Sequence, residues 1–207
     1  MNLKPSDLSQ NNYRLLDTLH HDELVPFVKT YLKKGTVATV AYYGSMMISF
    51  AVVLFFAMKF NHAKIITWST AFDYMFLGAV GAFMLVPLHE GIHALAYKSV
   101  GAKHTSYYVN LKKFYFLAMA NQFIASRKEF RVVALAPFVV ISLGLIVTAC
   151  VGNVQVTLIA LSCLMTHSTL CSGDFALLSY FEFHRKVEIV TYDDKDEKMS
   201  YFYKRDL

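Results

Sequence analysis

The sequence predicts an all-α membrane protein with four transmembrane helices, a cytoplasmic-side β-hairpin between the second and third helices, and a C-terminal hairpin. Three observations lead to this fold class. Hydrophobic residues make up 56% of the 207 residues and charged residues only 17%. Four apolar stretches are each long enough to cross a bilayer. Two shorter β-prone stretches lie outside them, and the chain length fits one domain.

The predicted spans follow one another with short connections, except for one long basic loop after the second. The first span holds about 23 residues without a charge, which corresponds to about 34 Å of helix. Pro137 is expected to kink the third span or to delay its start. The four spans are residues 36–58, 72–97, 130–151 and 154–183.

The predicted domains are a cytosolic, partly helical segment 1–35, a transmembrane domain 36–183, and a cytosolic tail 184–207. Apolar residues at helical spacing within 24–32 predict a short amphipathic helix. It lies either on the lipid headgroups or against the rest of the protein.

Aromatic and β-branched residues predict the two hairpins. In the long loop, the stretches 106–109 and 114–117 flank a polar turn, so a hairpin near the membrane surface is expected. In the tail, the stretches 187–192 and 199–203 flank an acidic turn and predict the second hairpin.

The distribution of positive charge predicts the orientation in the membrane. The loop 98–131 carries seven Lys and Arg residues, the loop 59–69 carries two, and the turn 152–153 carries none. Positively charged loops stay on the cytoplasmic side. We therefore expect a multi-pass protein of the bacterial cell membrane with both termini in the cytoplasm. The net charge of +5 is assigned to topology and lipid headgroups, not to nucleic acid.

The chemistry is concentrated in His89-Glu90-Gly91-Ile92-His93, which lies within the second span. Residues four apart share one face of a helix, so the two imidazoles can bind one Zn²⁺ ion. Glu90 would then act as general base on a zinc-activated water. The alternative is that the histidines are hydrogen-bonded core residues and Glu90 faces water. That alternative is disfavoured because an unpaired buried carboxylate is costly.

A third zinc ligand is expected from the fourth span. His89 lies about 14 Å inside the cytoplasmic end of the second span, and Asp174 lies at matching depth, ten residues before His184. An aspartate within an apolar helix needs a partner or a metal ion, so Asp174 is the preferred ligand. His167 and Cys171 lie on the same helical stripe and remain alternatives, with His167 also suited to a supporting or substrate-facing role.

Three segments carry a resemblance to a known family. They are the segment from His89 to Lys103, the segment from Arg127 to Pro137, and Ser172-Gly173-Asp174. Together they resemble the bacterial "putative zincin peptidase" family, which is distantly similar to site-2 proteases, the intramembrane zinc proteases. The resemblance implies that His89 and His93 are zinc ligands, that Glu90 is catalytic, and that Asp174 completes the metal site. Site-2 proteases usually have Asp-Gly where this chain has Gly173-Asp174.

The predicted function is therefore a zinc metalloendopeptidase that acts within or next to the membrane on a membrane or membrane-associated protein. One alternative is a non-proteolytic metal-binding or regulatory protein on a protease-like scaffold. An intact Glu90 argues against that alternative. Another is a zinc hydrolase acting on lipids, but Lys and Arg residues that would bind a phosphate do not occur at the depth of His89.

Overall fold

The computed structural model describes residues 4–110 and 115–206. The chain folds into two compact units. The sheet unit comprises Met1–Thr39, Glu90–Ala136 and Gly173–Leu207. The helical unit comprises Val40–His89 and Pro137–Ser172.

Helices predominate in the described part of the chain, which also contains small antiparallel sheets. The α-helices are α1 Leu24–Tyr31, α2 Val37–His62, α3 Trp68–Met84, α4 Val86–Ser99, α5 Arg127–Val151, α6 Val154–Leu170 and α7 Ser172–Phe183. The strands are β1 Arg14–His20, β2 Ser106–Asn110, β3 Tyr115–Met119, β4 Ala125–Ser126, β5 Val187–Asp194 and β6 Met199–Asp206. The expectation of an all-α fold is thus corrected to a mostly helical fold with two sheets.

The described residues include two helices, α2 and α5, that are long and apolar enough to cross a membrane. The number rises to four if the pairs α3 with α4 and α6 with α7 each count as one broken span. On α2, Val40, Met47 and Ile48 are each 67–70% exposed, as expected for side chains that face lipid. The lengths and composition of these helices are therefore consistent with a membrane protein that has two to four spans.

The second and fourth predicted spans are each interrupted, although their apolar sequences predict continuous helices. Pro87 is the second residue of α4, and proline lacks the N–H that would continue the hydrogen bonds of α3. Cys171 ends α6, with its N–H donated to the carbonyl of His167, and the weak helix formers Ser172 and Gly173 follow.

Helix α5 begins at Arg127 and continues past Pro137 to Val151. Of the two effects expected of Pro137, the late start is therefore wrong, and the kink stays a prediction. Its beginning is fixed by a reciprocal cap. The N–H and the hydroxyl of Ser126 both donate to the Glu129 carboxylate, at 2.8 and 2.6 Å. The N–H of Glu129 donates back to the Ser126 hydroxyl at 3.4 Å. This capping box satisfies donors that the first helical turn leaves without partners.

Antiparallel strand pairs occur in both regions where the sequence predicts hairpins. Strands β2 and β3 pair antiparallel with Tyr107 opposite Ala118. The polar turn predicted between them falls mostly on residues 111–114, which lie outside the described residues. Strands β5 and β6 pair antiparallel and form the centre of a four-stranded sheet with the order β1-β6-β5-β4.

The amino-terminal segment contains a strand that the sequence analysis missed. After two short 3-10 helices, Pro5–Asp7 and Ser9–Asn11, strand β1 pairs with β6. The segment Arg14–His20 lacks a regular alternation of polar and apolar residues, so only its pairing with β6 identifies it as a strand.

Helix α1 confirms the predicted amphipathic helix, and its aromatic residues pack within the sheet unit. The ring centroid of Tyr31 lies 4.9 Å from that of Tyr180, and Phe27 lies 5.6 Å from Tyr180 and 6.4 Å from Phe202. These contacts favour the alternative in which α1 packs against the protein.

Helices α3 and α6 pack closely inside the helical unit. A Cβ atom added to Gly78 would lie 2.4 Å from the carbonyl oxygen of Ile159 and 2.7 Å from the Cβ atom of Ser162. The hydroxyl of Ser162 also donates to the carbonyl of Met75 at 2.7 Å. Glycine at 78 therefore permits a backbone approach that any side chain would prevent.

Candidate metal centre

The first half of α4 carries the predicted motif. Each of His89, Glu90 and His93 offers one ligand atom, and these atoms lie within 4.8 Å of one another. His93 is buried, with 7% of its surface exposed. The helical spacing thus groups the three side chains as the sequence predicted, on a single helix.

Both ring nitrogens of His93 are engaged within the sheet unit. Nδ1 lies 3.0 Å from the carbonyl oxygen of Val133 in α5, to which it can only donate a proton. A neutral ring with its proton on Nδ1 presents a lone pair on Nε2. Hydrogen bonds of this kind fix the orientation and tautomer of metal-binding histidines.

Nε2 of His93 faces Asp174 at the beginning of α7. The distance from Nε2 to Oδ1 of Asp174 is 3.1 Å, and the Asp174 side chain is 15% exposed. A lone pair and a carboxylate repel each other unless a proton or a metal ion lies between them. Bonds to zinc of about 2.0–2.1 Å at tetrahedral angles place two ligand atoms about 3.3 Å apart. The pair therefore fits one edge of a zinc site.

The Glu90 carboxylate is held by the hairpin of the sheet unit. Its Oε2 atom accepts a hydrogen bond from the N–H of Ala118 in β3 at 2.7 Å. The bond orients the proposed base and brings an extended strand beside it. Neither Ala118 nor Val133 could be found by sequence reasoning, because both act through backbone atoms that any residue supplies.

His89 also has partners within the helical unit. Its Nδ1 lies 3.2 Å from Nε2 of His167, and the Sγ atom of Cys171 lies 3.7 Å from the same Nε2. The two alternative ligands named in the sequence analysis thus contact each other, and His167 also contacts His89. Asp174 contacts His93.

The histidines of α4, the adjacent glutamate and the aspartate that faces His93 offer imidazole and carboxylate donors for a candidate metal centre, in a chain with two to four possible membrane spans. A sequence model of the family described as "Putative zincin peptidase" matches residues 82–187, slightly more than half of the chain. The chain belongs to this family, which confirms the resemblance. The matched region includes α4 to α7 and therefore all the residues of the candidate centre. Neither the curated proteins nor the solved structures gave a match.

Proposed function

We propose that this protein is a zinc metalloendopeptidase that hydrolyses peptide bonds within or next to the membrane. The observation that carries the proposal is the 3.1 Å approach of His93 Nε2 to Asp174 Oδ1 beside the His-Glu-x-x-His helix. Family membership supports the proposed reaction class, and the apolar helices support the proposed location.

The proposed ligands are His89, His93 and Asp174, with a fourth position left for water and substrate. Asp174 is supported as the third ligand because it faces the metal-binding nitrogen of His93 and is largely shielded from solvent. His89 joins them because it lies one helical turn from His93. The Val133 carbonyl holds the His93 ring in the orientation that ligation requires.

A zinc ion bound there would supply Lewis acidity, which acidifies a water molecule and polarises the carbonyl of the scissile bond. Glu90 removes the proton from the water and then delivers it to the leaving amine. The Ala118 N–H directs the Glu90 carboxylate while it does so. Because β3 is an extended segment next to Glu90, it is well placed to align an extended substrate chain.

The proposed substrate is a membrane or membrane-associated protein. We place the enzyme in the bacterial cell membrane as a multi-pass protein with cytoplasmic termini. The seven positive charges of the 98–131 loop support that orientation. The proposed similarity to site-2 proteases rests on His89, Glu90, His93 and Asp174.

The test replaces Glu90 with Gln, which keeps the shape of the side chain and removes the base. We expect the purified variant to retain its zinc, and cleavage to fall by about 10²- to 10⁴-fold. Substrate cleavage is followed by comparing new peptide ends in the membrane proteins of cells that carry wild-type or variant protein. Glu23→Gln, at an exposed position, is the matched control and should leave cleavage unchanged.

Two outcomes would contradict the proposal. Full activity in Glu90→Gln would exclude Glu90 as the base. Zinc binding without any cleavage that depends on the wild-type protein would favour the alternative, a non-proteolytic metal-binding or regulatory protein.

A further inference from the structure

Three metal-binding side chains meet inside the helical unit, and the proposed catalytic centre uses only His89. His167 lies in the last turn of α6, and Cys171 follows four residues later on the same face. Both are buried, with 2% and 0% of their surfaces exposed. One ligand atom from each of His89, His167 and Cys171 lies within 4.8 Å of the other two.

Hydrogen bonds alone do not satisfy all three side chains of this cluster. Nε2 of His167 lies 3.2 Å from His89 Nδ1 and 3.7 Å from Cys171 Sγ. In a neutral imidazole, this nitrogen carries either one proton or one lone pair. It can therefore form one full hydrogen bond, whereas two partners approach it. A cation between the three atoms attracts all of them at once.

The distances match those of a metal site that contains sulfur. Zinc bonds of about 2.0–2.1 Å to nitrogen and about 2.3 Å to sulfur give tetrahedral edges of about 3.3 Å for N–N and about 3.6 Å for N–S. The two separations at His167 Nε2, 3.2 and 3.7 Å, agree with these edges. We propose that His89, His167 and Cys171 form a second, thiolate-containing zinc position.

The chemical types of these three ligands determine which metal ion the position favours. A thiolate with two imidazoles suits Zn²⁺ and disfavours Mg²⁺ and Ca²⁺, which take oxygen ligands. On binding, the Cys171 thiol loses its proton to solvent and becomes the thiolate ligand.

One consequence rests on the proposed function, because His89 belongs to both ligand sets. A neutral imidazole has one lone pair and can bind one ion. When zinc binds in the thiolate position, His89 cannot also bind an ion together with His93 and Asp174. The proposed catalytic centre then lacks one of its three protein ligands. In the inactive protein, the zinc ion thus occupies the thiolate position.

Cobalt substitution tests the thiolate position on the purified full chain in detergent. Co²⁺ bound to a thiolate gives a charge-transfer absorption in the near ultraviolet, which nitrogen and oxygen ligands do not give. We expect the band in the wild type, its loss in Cys171→Ser, and its retention in Cys163→Ser. Cys163 is a suitable control because it is also a buried cysteine of α6, with 5% of its surface exposed. A wild type without the band, or a Cys171→Ser variant that keeps it, would overturn the proposal.

A second measurement does not depend on the folding of any variant. X-ray absorption at the zinc edge of the wild type should show a sulfur neighbour at about 2.3 Å. A shell of nitrogen and oxygen alone would refute the site. The Asp174→Ala variant should keep the cobalt band, because it removes the competing position for His89. The Glu90→Gln variant should also keep the band. The two proposals can therefore fail independently, because loss of cleavage tests the proposed protease function and the sulfur ligand tests the thiolate position.

Discussion

His89 and His93 lie one turn apart on α4, yet they have chemically different surroundings. His93 is placed between two oxygen groups of the sheet unit, the Val133 carbonyl and the Asp174 carboxylate, at 3.0 and 3.1 Å. His89 contacts His167 in the helical unit, and Cys171 lies against the same imidazole of His167. His93 thus has oxygen partners, whereas His89 contacts a nitrogen atom that itself contacts a sulfur atom.

The difference shows that a sequence motif specifies a pair of ligands but not the ligand set to which each one belongs. Helical spacing alone brings the two imidazoles to one face. The residues that contact each histidine in the folded chain then determine which of its ring nitrogens can bind a metal ion. They also determine whether the other ligands of that ion are hard oxygen atoms or softer nitrogen and sulfur atoms. Variants that remove partners of only one histidine can therefore separate the two sets.

The largest expected effect comes from Asp174→Ala, which removes the charged partner of His93. We expect the zinc affinity of the proposed catalytic centre to fall by at least about 100-fold, since loss of supporting residues alone costs about 10- to 100-fold. Competition with a coloured zinc chelator measures the affinity in a Cys171→Ser background, which lacks the proposed thiolate position, and Asp73→Asn, at an exposed position of α3, serves as the control in the same background. An unchanged affinity in Asp174→Ala would remove Asp174 from the ligand set.

A second prediction perturbs only the unit that contains the partners of His89. Gly78→Ala places a methyl group 2.4 Å from the Ile159 carbonyl oxygen. We expect a loss of about 2–3 kcal/mol in the stability of the helical unit, because a backbone atom cannot give way as a flexible side chain can. Thermal unfolding in detergent measures this loss.

Gly81→Ala provides the matched control for that prediction. A Cβ atom at 81 would meet only the Cys163 sulfur, at an ordinary 3.8 Å. The variant should gain about 0.5–1 kcal/mol, since alanine favours a helix over glycine. Equal destabilisation by the two substitutions would contradict the close packing of α3 against α6.

The sequence predicted those features that depend on local pattern. Helical spacing predicted that the side chains of His89, Glu90 and His93 lie close together, as they do. β-Prone aromatic stretches predicted the two regions where antiparallel strand pairs occur. The 3.1 Å contact between His93 and Asp174 is compatible with the depth argument, although Asp174 as a zinc ligand stays a prediction. The second and fourth spans were expected to be straight, but the helices are broken near Pro87 and Cys171.

The remaining features depend on tertiary contacts that local pattern does not encode. Strand β1 was missed because it is defined by its pairing with β6. The Ala118 N–H and the Val133 carbonyl were missed because backbone groups have no sequence signature. The contact of His167 with His89 requires two helices far apart in the chain to meet.

A third prediction concerns the sheet unit and its dependence on pH. Burial raises the pKa of Asp193 in β5 to about 6, while the hydroxyl of Ser200 donates to it at 2.6 Å. A carboxyl group with a raised pKa stabilises the fold fully below about pH 4, and this contribution is lost as the pH rises through about 6.

Asp193→Asn should therefore stabilise the protein by about 1–2 kcal/mol at pH 7.5, after allowance for a weaker hydrogen bond to Ser200. The gain should disappear near pH 4, as measured by thermal unfolding across this pH range. Asp194→Asn is a suitable control from the adjacent position. A gain that does not vary with pH would show that Asp193 is not the titrating group.

The smallest effect is expected from Ser126→Ala, which removes the cap at the beginning of α5. The variant loses the hydroxyl that donates to Glu129 and accepts its N–H, so a loss of about 1 kcal/mol in stability is expected in thermal unfolding. Val133 lies seven residues beyond Ser126 in the chain and is buried, so its carbonyl should remain next to His93 and zinc affinity should not change.

Thr67→Ala is the matched control for the cap, because it removes the corresponding contact at the beginning of α3 in the helical unit. The Thr67 hydroxyl accepts the N–H of Thr70, so its loss should cost a similar amount of stability. A marked loss of zinc affinity in Ser126→Ala alone would show that the capped end of α5 sets the position of the Val133 carbonyl. His93 would then depend on a contact outside its immediate surroundings.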